Sequence, residues 1–308
     1  MTETTRTIRV GTRGSPLALA QAEEVKARLL AAHAELKGDD IEIVPVSTKG
    51  DRVQDRPLSE LGGKGLFTEE IENGLKDGSL DIAVHSMKDM PTVICDGLSI
   101  PCLLPREDTR DAFISHKAKD LDGLAAGMLV GTASLRRQAQ VLRRRPDLRV
   151  SVFRGNVQTR LRKLEEGQAD ATLLAMAGLN RLGLAHVAVS AIDDMLPAIA
   201  QGAIGVEARI GDERMARLLA AINDEATQHC VNAERALLAA LDGSCRTPIA
   251  GLATLANGRI WLRGEILTPD GSEHHLVERE GPVADAASMG FDAGDELKRR
   301  GGPNFFSS

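Results

Sequence analysis

Short apolar runs alternate with helical stripes over most of this chain. Ile8, Arg9 and Val10 read as a first strand, and Gly11 to Gly14 form a turn. Ser15 and Pro16 are suited to the N-cap and first position of a helix. Leu17, Ala20, Val25 and Leu29 then mark one helix face, which predicts a helix to about Leu36. Positions 41–46 alternate apolar and polar as a second strand. A helix is expected over 67–76, and a strand over 82–84, whose unbroken apolar run suits a parallel strand covered on both faces. Another strand falls at 98–104, and 105–110 reads as a linker. The same grammar restarts at Asp111, with strands at 128–130, 149–153 and 169–174, helices from Leu135 and after Asn156, and a short helix at 179–182. Positions 204–207 look like a returning strand. From Asp212 the texture changes to helical runs at 213–222 and 225–241. Strands follow at 249–255, 259–267 and 274–278, with a Pro269-Asp270-Gly271 turn, a last helix over 283–299 and a loose tail at 301–308. The pattern predicts two doubly wound α/β lobes followed by a small α+β domain.

Composition narrows the function classes. The chain has 308 residues and a formal net charge of −6, with 2% aromatics and no Tyr. An acidic protein with few stacking surfaces is a poor general nucleic-acid binder. No apolar run is long enough to span a membrane, and the first residues carry no hydrophobic signal segment. The cytoplasm is therefore the expected location. Cys95, Cys102, Cys230 and Cys245 show no metal-ligand spacing, so no metal is expected.

The acidic mean hides one basic segment. Between positions 131 and 163 lie ten Lys and Arg residues and a single acid, Asp147. Such focusing suits a polyanionic ligand. Arg143, Arg144 and Arg145 read instead as a solvated helix end before Pro146, where cations complement the dipole. Ser134 is an N-cap candidate, and Arg136 and Arg137 fall in the first helical turn. Cations there oppose the macrodipole unless an anion answers them.

The candidate chemistry gathers at strand ends, where open α/β sheets bind ligands. The strand at 82–84 runs into His85, Ser86, Lys88 and Asp89 before Pro91 stops it. Lys88 and Asp89 side by side suit an anionic ligand and a developing positive charge; the bland alternative is a solvated turn. Arg13 and the free N–H groups of the first helix suit a carboxylate, and the alternative for Arg13 is a surface turn residue. Lys64, in a loop with glycines at 62, 63 and 65, is placed to touch a ligand. Arg154 ends a strand, with Arg160 on the helix beyond it. Cys245 lies in a loop bounded by Gly243 and Pro248, where a thiol suits a nucleophile or a covalent anchor. No His neighbours it in sequence, so a protease-like role has little support.

Seven segments together resemble the hydroxymethylbilane synthase (porphobilinogen deaminase) family: TRGSPLALAQ (12–21), GGKGLF (62–67), DIAVHSMKDMP (81–91), REDTRDAF (106–113), GTASLRRQ (131–138), RGNVQTRL (154–161) and GSCRTPI (243–249). The resemblance implies two periplasmic-binding-protein-like lobes, the first discontinuous (1–104 with 200–221) and the second at 105–199. It also implies a C-terminal α+β domain at 222–308 bearing a cofactor cysteine. The implied activity joins four porphobilinogen units head to tail on a covalent dipyrromethane cofactor, releasing ammonia at each step and then linear hydroxymethylbilane. Loss of ammonia leaves an azafulvenium cation, which a carboxylate can stabilise.

Position by position, the resemblance implies that Asp89 is catalytic and that Cys245 carries the cofactor by a thioether. Lys88, Asp89, Ser134, Arg136 and Arg137 would hold the cofactor. Arg13, Ser15, Gln21, Lys64, Arg154 and Arg160 would meet substrate. Ala133 stands where many members carry a hydroxyl. Porphobilinogen is the expected small-molecule partner of a monomer, with no nucleic acid and no membrane. The competing reading is a non-catalytic two-lobed anion-binding module, which leaves Asp89 and Cys245 without employment.

Overall fold

The structure, a computed structural model, describes residues 7–52, 68–243 and 247–306. These form two compact units: Met1–Arg106 with Ala203–Gln228, and Glu107–Gly202 with His229–Ser308. The chain runs through β1 (Ile8–Arg13), α1 (Pro16–Ala32), β2 (Ile41–Val46), α2 (Lys49–Arg52), α3 (Glu69–Lys76), β3 (Ile82–Ser86) and β4 (Leu98–Leu103). It continues through β5 (Asp111–Ser115), β6 (Leu129–Gly131), α4 (Leu135–Arg144), β7 (Arg149–Ser151), α5 (Val157–Glu165), β8 (Ala171–Ala175), α6 (Met176–Arg181) and β9 (Ser190–Ile192). Then come β10 (Ile204–Arg209), α7 (Glu213–Ala220), α8 (Glu225–Ala240), β11 (Ile249–Ala256), β12 (Arg259–Leu267), β13 (His274–Pro282) and α9 (Ala286–Gly301).

The first unit holds a five-stranded sheet in the order β2-β1-β3-β10-β4. β1 runs parallel to β2 and β3, and β10 lies antiparallel between β3 and β4. Ile82 and Val84 join one core cluster with Val25 and Leu29 of α1. Ala83 joins the other, with Ile71 and Leu75 of α3. The period of two along a strand thus divides one apolar run between two helical layers. Each such buried Ile or Leu contributes about 1.5–3 kcal/mol by leaving water.

The second unit repeats this plan in a sheet ordered β7-β6-β8-β5-β9. β6 is parallel to β7 and β8, and β5 lies antiparallel between β8 and β9. Two doubly wound sheets with one strand order match the predicted class. The same unit carries a three-stranded antiparallel sheet, β11-β12-β13. Leu297 and Ala293 of α9 are fully buried, as are Ile260 and Leu262 of β12, completing the small α+β part.

Several boundaries differ from the sequence reading. α1 stops at Ala32, where the His33 N–H caps Leu29 O and its ring Nε2 lies 2.9 Å from Leu218 O. β5 and β9 were not anticipated: each is a short run whose ladder is supplied by distant strands, so no local alternation marks it. β13 extends to Pro282 because β12 pairs with it along its whole length.

Candidate active site

In the first unit, β1, the start of α1 and the end of β3 are tied together before any ligand is considered. Thr12, wholly buried at the end of β1, donates its hydroxyl to Ala18 O at 3.3 Å or Val84 O at 3.2 Å. Ser15 caps α1, its Oγ accepting from the Ala18 N–H at 3.3 Å, with Pro16 next. β3 passes into a single 3-10 turn, Met87–Asp89. Met87 and Met90 are buried on either side of Lys88 and Asp89, so the two methionines anchor the turn and leave the charged pair at its outer edge. The Met87 N–H donates to Ala203 O at 3.0 Å, which fixes the turn against the returning strand.

A small cleft lies over these ends, lined by Arg13, Ser15, Gln21, His85, Ser86 and Asp89 among others. Arg13 Nη1 stands 4.0 Å from Asp89 Oδ2, and the Asp89 side chain is 40% exposed. The Gln21 amide is buried and donates to Ser86 Oγ at 2.8 Å. Below, His85 Nε2 lies 2.9 Å from Oε2 of Glu207, a carboxylate with no exposure, supplied by β10. The cleft therefore presents one accessible carboxylate beside a guanidinium over a polar floor. That arrangement can hold an anion and face a cation together.

In the second unit, Ser134 Oγ accepts from the Arg137 N–H at 3.4 Å and caps α4. The anion answering the two arginines of the first turn is the protein's own Asp111, on β5. Arg136 Nη2 donates to Asp111 Oδ2 at 2.8 Å, Arg137 Nη2 to Oδ1 at 2.7 Å, and Gln201 Nε2 to Oδ1 at 2.8 Å. Asp111 is 1% exposed, Arg136 4% and Arg137 5%. Burial alone would raise the Asp111 carboxyl; the two guanidiniums and these hydrogen bonds overcome it and hold the group well below the usual carboxylate range. Burial pushes the Arg136 guanidinium down against the pull of Asp111, yet an arginine starts so high that it stays charged. The Nε atoms of both arginines remain buried without a partner among the described residues.

The rest of the basic segment is divided. Arg144 pairs with Asp122 and Asp194, and Arg145 with Asp147 at 2.7 Å. These two, read from sequence as a solvated helix end and not as part of a ligand field, are neutralised in place. Arg154 keeps a buried Nη1 without a partner among the described residues. Arg160, in the first turns of α5, donates Nε to Gly155 O at 2.9 Å, and Asn156 caps that helix.

The structure thus gathers Arg13, Ser15, Gln21 and Asp89 around one cleft, with Lys88 half-buried beside Asp89 in the same turn. It sets Ser134, Arg136 and Arg137 at one helix start, and Arg154 and Arg160 around the next. Lys64 and Cys245 lie outside the described residues. Sequence reasoning missed Asp111, Gln201 and Glu207. An acid directly ahead of the apolar run Ala112-Phe113-Ile114 was the available sign for Asp111; Glu207 carried none beyond its place in an apolar strand.

Two family models match the chain: "Porphobilinogen deaminase, dipyromethane cofactor binding domain" over residues 8–217, and "Porphobilinogen deaminase, C-terminal domain" over residues 228–299. A porphobilinogen deaminase from Paracoccus denitrificans is 61% identical over 301 residues, covering 97% of this chain and 96% of that protein. Among solved structures, the methionine-binding protein MetQ is similar with a TM-score of 0.45 and 16% identity, over 73% of this chain and 93% of that one. A periplasmic substrate-binding protein of an ABC transporter from Coxiella burnetii gives 0.44 and 16%, over 72% and 94%.

Proposed function

The chain belongs to the porphobilinogen deaminase family, and on that premise we propose how its residues divide the work. It is a transferase that condenses porphobilinogen head to tail, with loss of ammonia, into linear hydroxymethylbilane. The covalent dipyrromethane cofactor supplies a pyrrole terminus on which the product grows.

The donors present fit such an acidic group. Arg136 Nε, Arg137 Nε and Arg154 Nη1 are buried N–H donors that no described residue satisfies, and carboxylate side chains are the natural acceptors for guanidinium donors. In our assignment Lys88, Asp89, Ser134, Arg136 and Arg137 hold the cofactor, with Cys245 as its thioether anchor. Arg13, Ser15, Gln21, Lys64, Arg154 and Arg160 receive the carboxylates of porphobilinogen. Asp89 is the catalytic carboxylate.

The observation that carries this assignment is the cleft itself. It sets an accessible Asp89 4.0 Å from Arg13, beside the capped start of α1. When ammonia leaves the aminomethyl carbon, positive charge spreads over the substrate's pyrrole ring. Asp89 can accept the ring N–H and stabilise that charge. In the same reading it helps remove the proton displaced when the new carbon–carbon bond forms. Arg13 and the Ser15 cap bind carboxylates equally well before and during this step, so they serve binding more than rate.

We further read the protein as a cytoplasmic monomer without a nucleic-acid partner. Its net charge of −6 and sparse aromatics support the last point, and no helix among the described residues is long and apolar enough to cross a membrane.

The test is the intact mass of freshly purified protein together with turnover of porphobilinogen. The expected result is a mass increased by two pyrrole units and an adduct coloured by acid Ehrlich reagent. An unmodified mass with no turnover would return the chain to the anion-binding alternative.

A further inference from the structure

The polar network around Arg136 reaches further than the cofactor donors. Gln140 lies one turn along α4 from Arg136 and is 5% exposed. Its Oε1 accepts from Arg136 Nη1 at 2.8 Å, and its Nε2 donates to Leu196 O at 3.0 Å and to Glu265 Oε2 at 3.1 Å. Only one amide orientation satisfies this set. Reversed, the NH2 group would face a guanidinium, and the oxygen would face a carboxylate and a carbonyl. Arg136 Nη1 also donates to Leu196 O at 3.0 Å, so the guanidinium is clamped on several sides.

Glu265 gives the clamp its meaning. It sits on β12, 7% exposed, in register with Ala250 of β11, the strand that begins four positions after Cys245 in the sequence. The same helix meets this sheet again at the β12–β13 turn. There Gln138 Nε2 donates to Pro269 O at 3.2 Å. At Gly271, φ +74°, a Cβ would run into Ala139 O and Arg143 N, so only a glycine fits this close approach.

We propose that Gln140, braced by Glu265, is a positioning residue that sets Arg136 at a fixed place relative to β11, which begins four positions after Cys245 in the sequence. It thereby matches the carboxylate-holding guanidinium to a dicarboxylic pyrrole chain tethered at Cys245. The proposal rests on the reading of Arg136 as a holder of the cofactor. A chain anchored covalently at one end and by ion pairs at the other gains from the second contact only when the geometry fits, and displacement by about 1 Å can cost on the order of 100-fold in rate.

The experiment is a double-mutant cycle on the full-length protein, reading the cofactor-loaded fraction by intact mass, kcat and KM separately, and thermal melting. Gln140→Leu removes every hydrogen bond of the amide. Gln140→Asn keeps the amide but falls one methylene short, and decides the matter should the first variant not fold. The expected result is a loaded fraction or kcat lowered about tenfold or more by the Gln140 substitutions, with Glu265→Gln lowering it where Gln140 is intact and adding little once Gln140 is replaced. In an Arg136→Ala background the Gln140 substitution should add less than about twofold. Gln140 variants that are fully loaded with parental kcat, beside a cofactor-poor Arg136→Ala, would overturn this proposal alone. A fully loaded, fully active Arg136→Ala would overturn the reading beneath it as well. Losses that multiply in the two backgrounds would show an effect on stability only, and would also overturn it.

Discussion

Asp89 and Asp111 are both aspartates beside arginines, and their surroundings give them opposite work. Asp89 is 40% exposed on a turn held by two buried methionines, with Arg13 at 4.0 Å. On the proposed assignment, its exposed carboxylate meets a charge that exists only during reaction. Replacing it with Ala should lower kcat by about 10²–10⁴-fold while porphobilinogen binding persists; single-turnover kinetics with equilibrium dialysis would show this, and near-parental kcat would refute it. Among the described residues, Cys102 is buried where Cys95 is half-buried. Burial pushes the Cys102 thiol up to about 12, so it stays protonated at neutral pH. A thiol reagent at pH 8 should leave Cys102 unlabelled in the folded protein and label it after denaturation, as peptide mass mapping would reveal. Neither difference is visible in residue type. Burial decides both.

At the scale of elements, α4 shows how a helix start that local rules disfavour becomes stable. Two arginines in the first turn oppose the dipole, and the sequence sets no acid near them. β5 supplies Asp111 from 25 and 26 positions away. Asp111→Asn leaves two buried guanidiniums uncompensated and should cost about 3–5 kcal/mol at pH 7. The folded-state carboxyl is held well below its unfolded value of about 3.9. Its contribution is therefore complete above that value and is lost as pH falls toward the lowered folded one. Urea denaturation should show a gap between parent and variant that is widest at neutral pH and narrows below about pH 4. The Ser134 cap works on the same helix start. Ser134→Ala should lower stability by about 1 kcal/mol, measured by the same method. The Ser15 and Ser134 caps were legible, because each acts within three residues of its own position.

For the whole molecule, cofactor attachment gives the broadest test. Cys245→Ala should retain the far-UV circular dichroism of the parent while its intact mass shows no adduct; a normal adduct mass would refute the anchor. Two doubly wound sheets were legible from paired blocks of strand and helix, because the apolar runs at 82–84 and 169–174 can only be covered on both faces, but the strand orders, with β5 and β9, were not. Arg13, Ser15, Lys88 and Asp89 were legible as a group because strand ends and helix starts are written locally, and a parallel sheet brings those ends to one edge. Long-range contacts were not. Gln140 meets Glu265 across 125 positions, and Asp111 meets Gln201 across 90. The sequence by itself determined the elements, their caps and the kinds of charge at each strand end. Tertiary structure alone decided which charges are spent on distant partners: Arg144 on Asp122 and Asp194, Arg136 and Arg137 partly on Asp111. The physical reason is that charge compensation depends on separation in space and on burial, and the order of residues along the chain fixes neither.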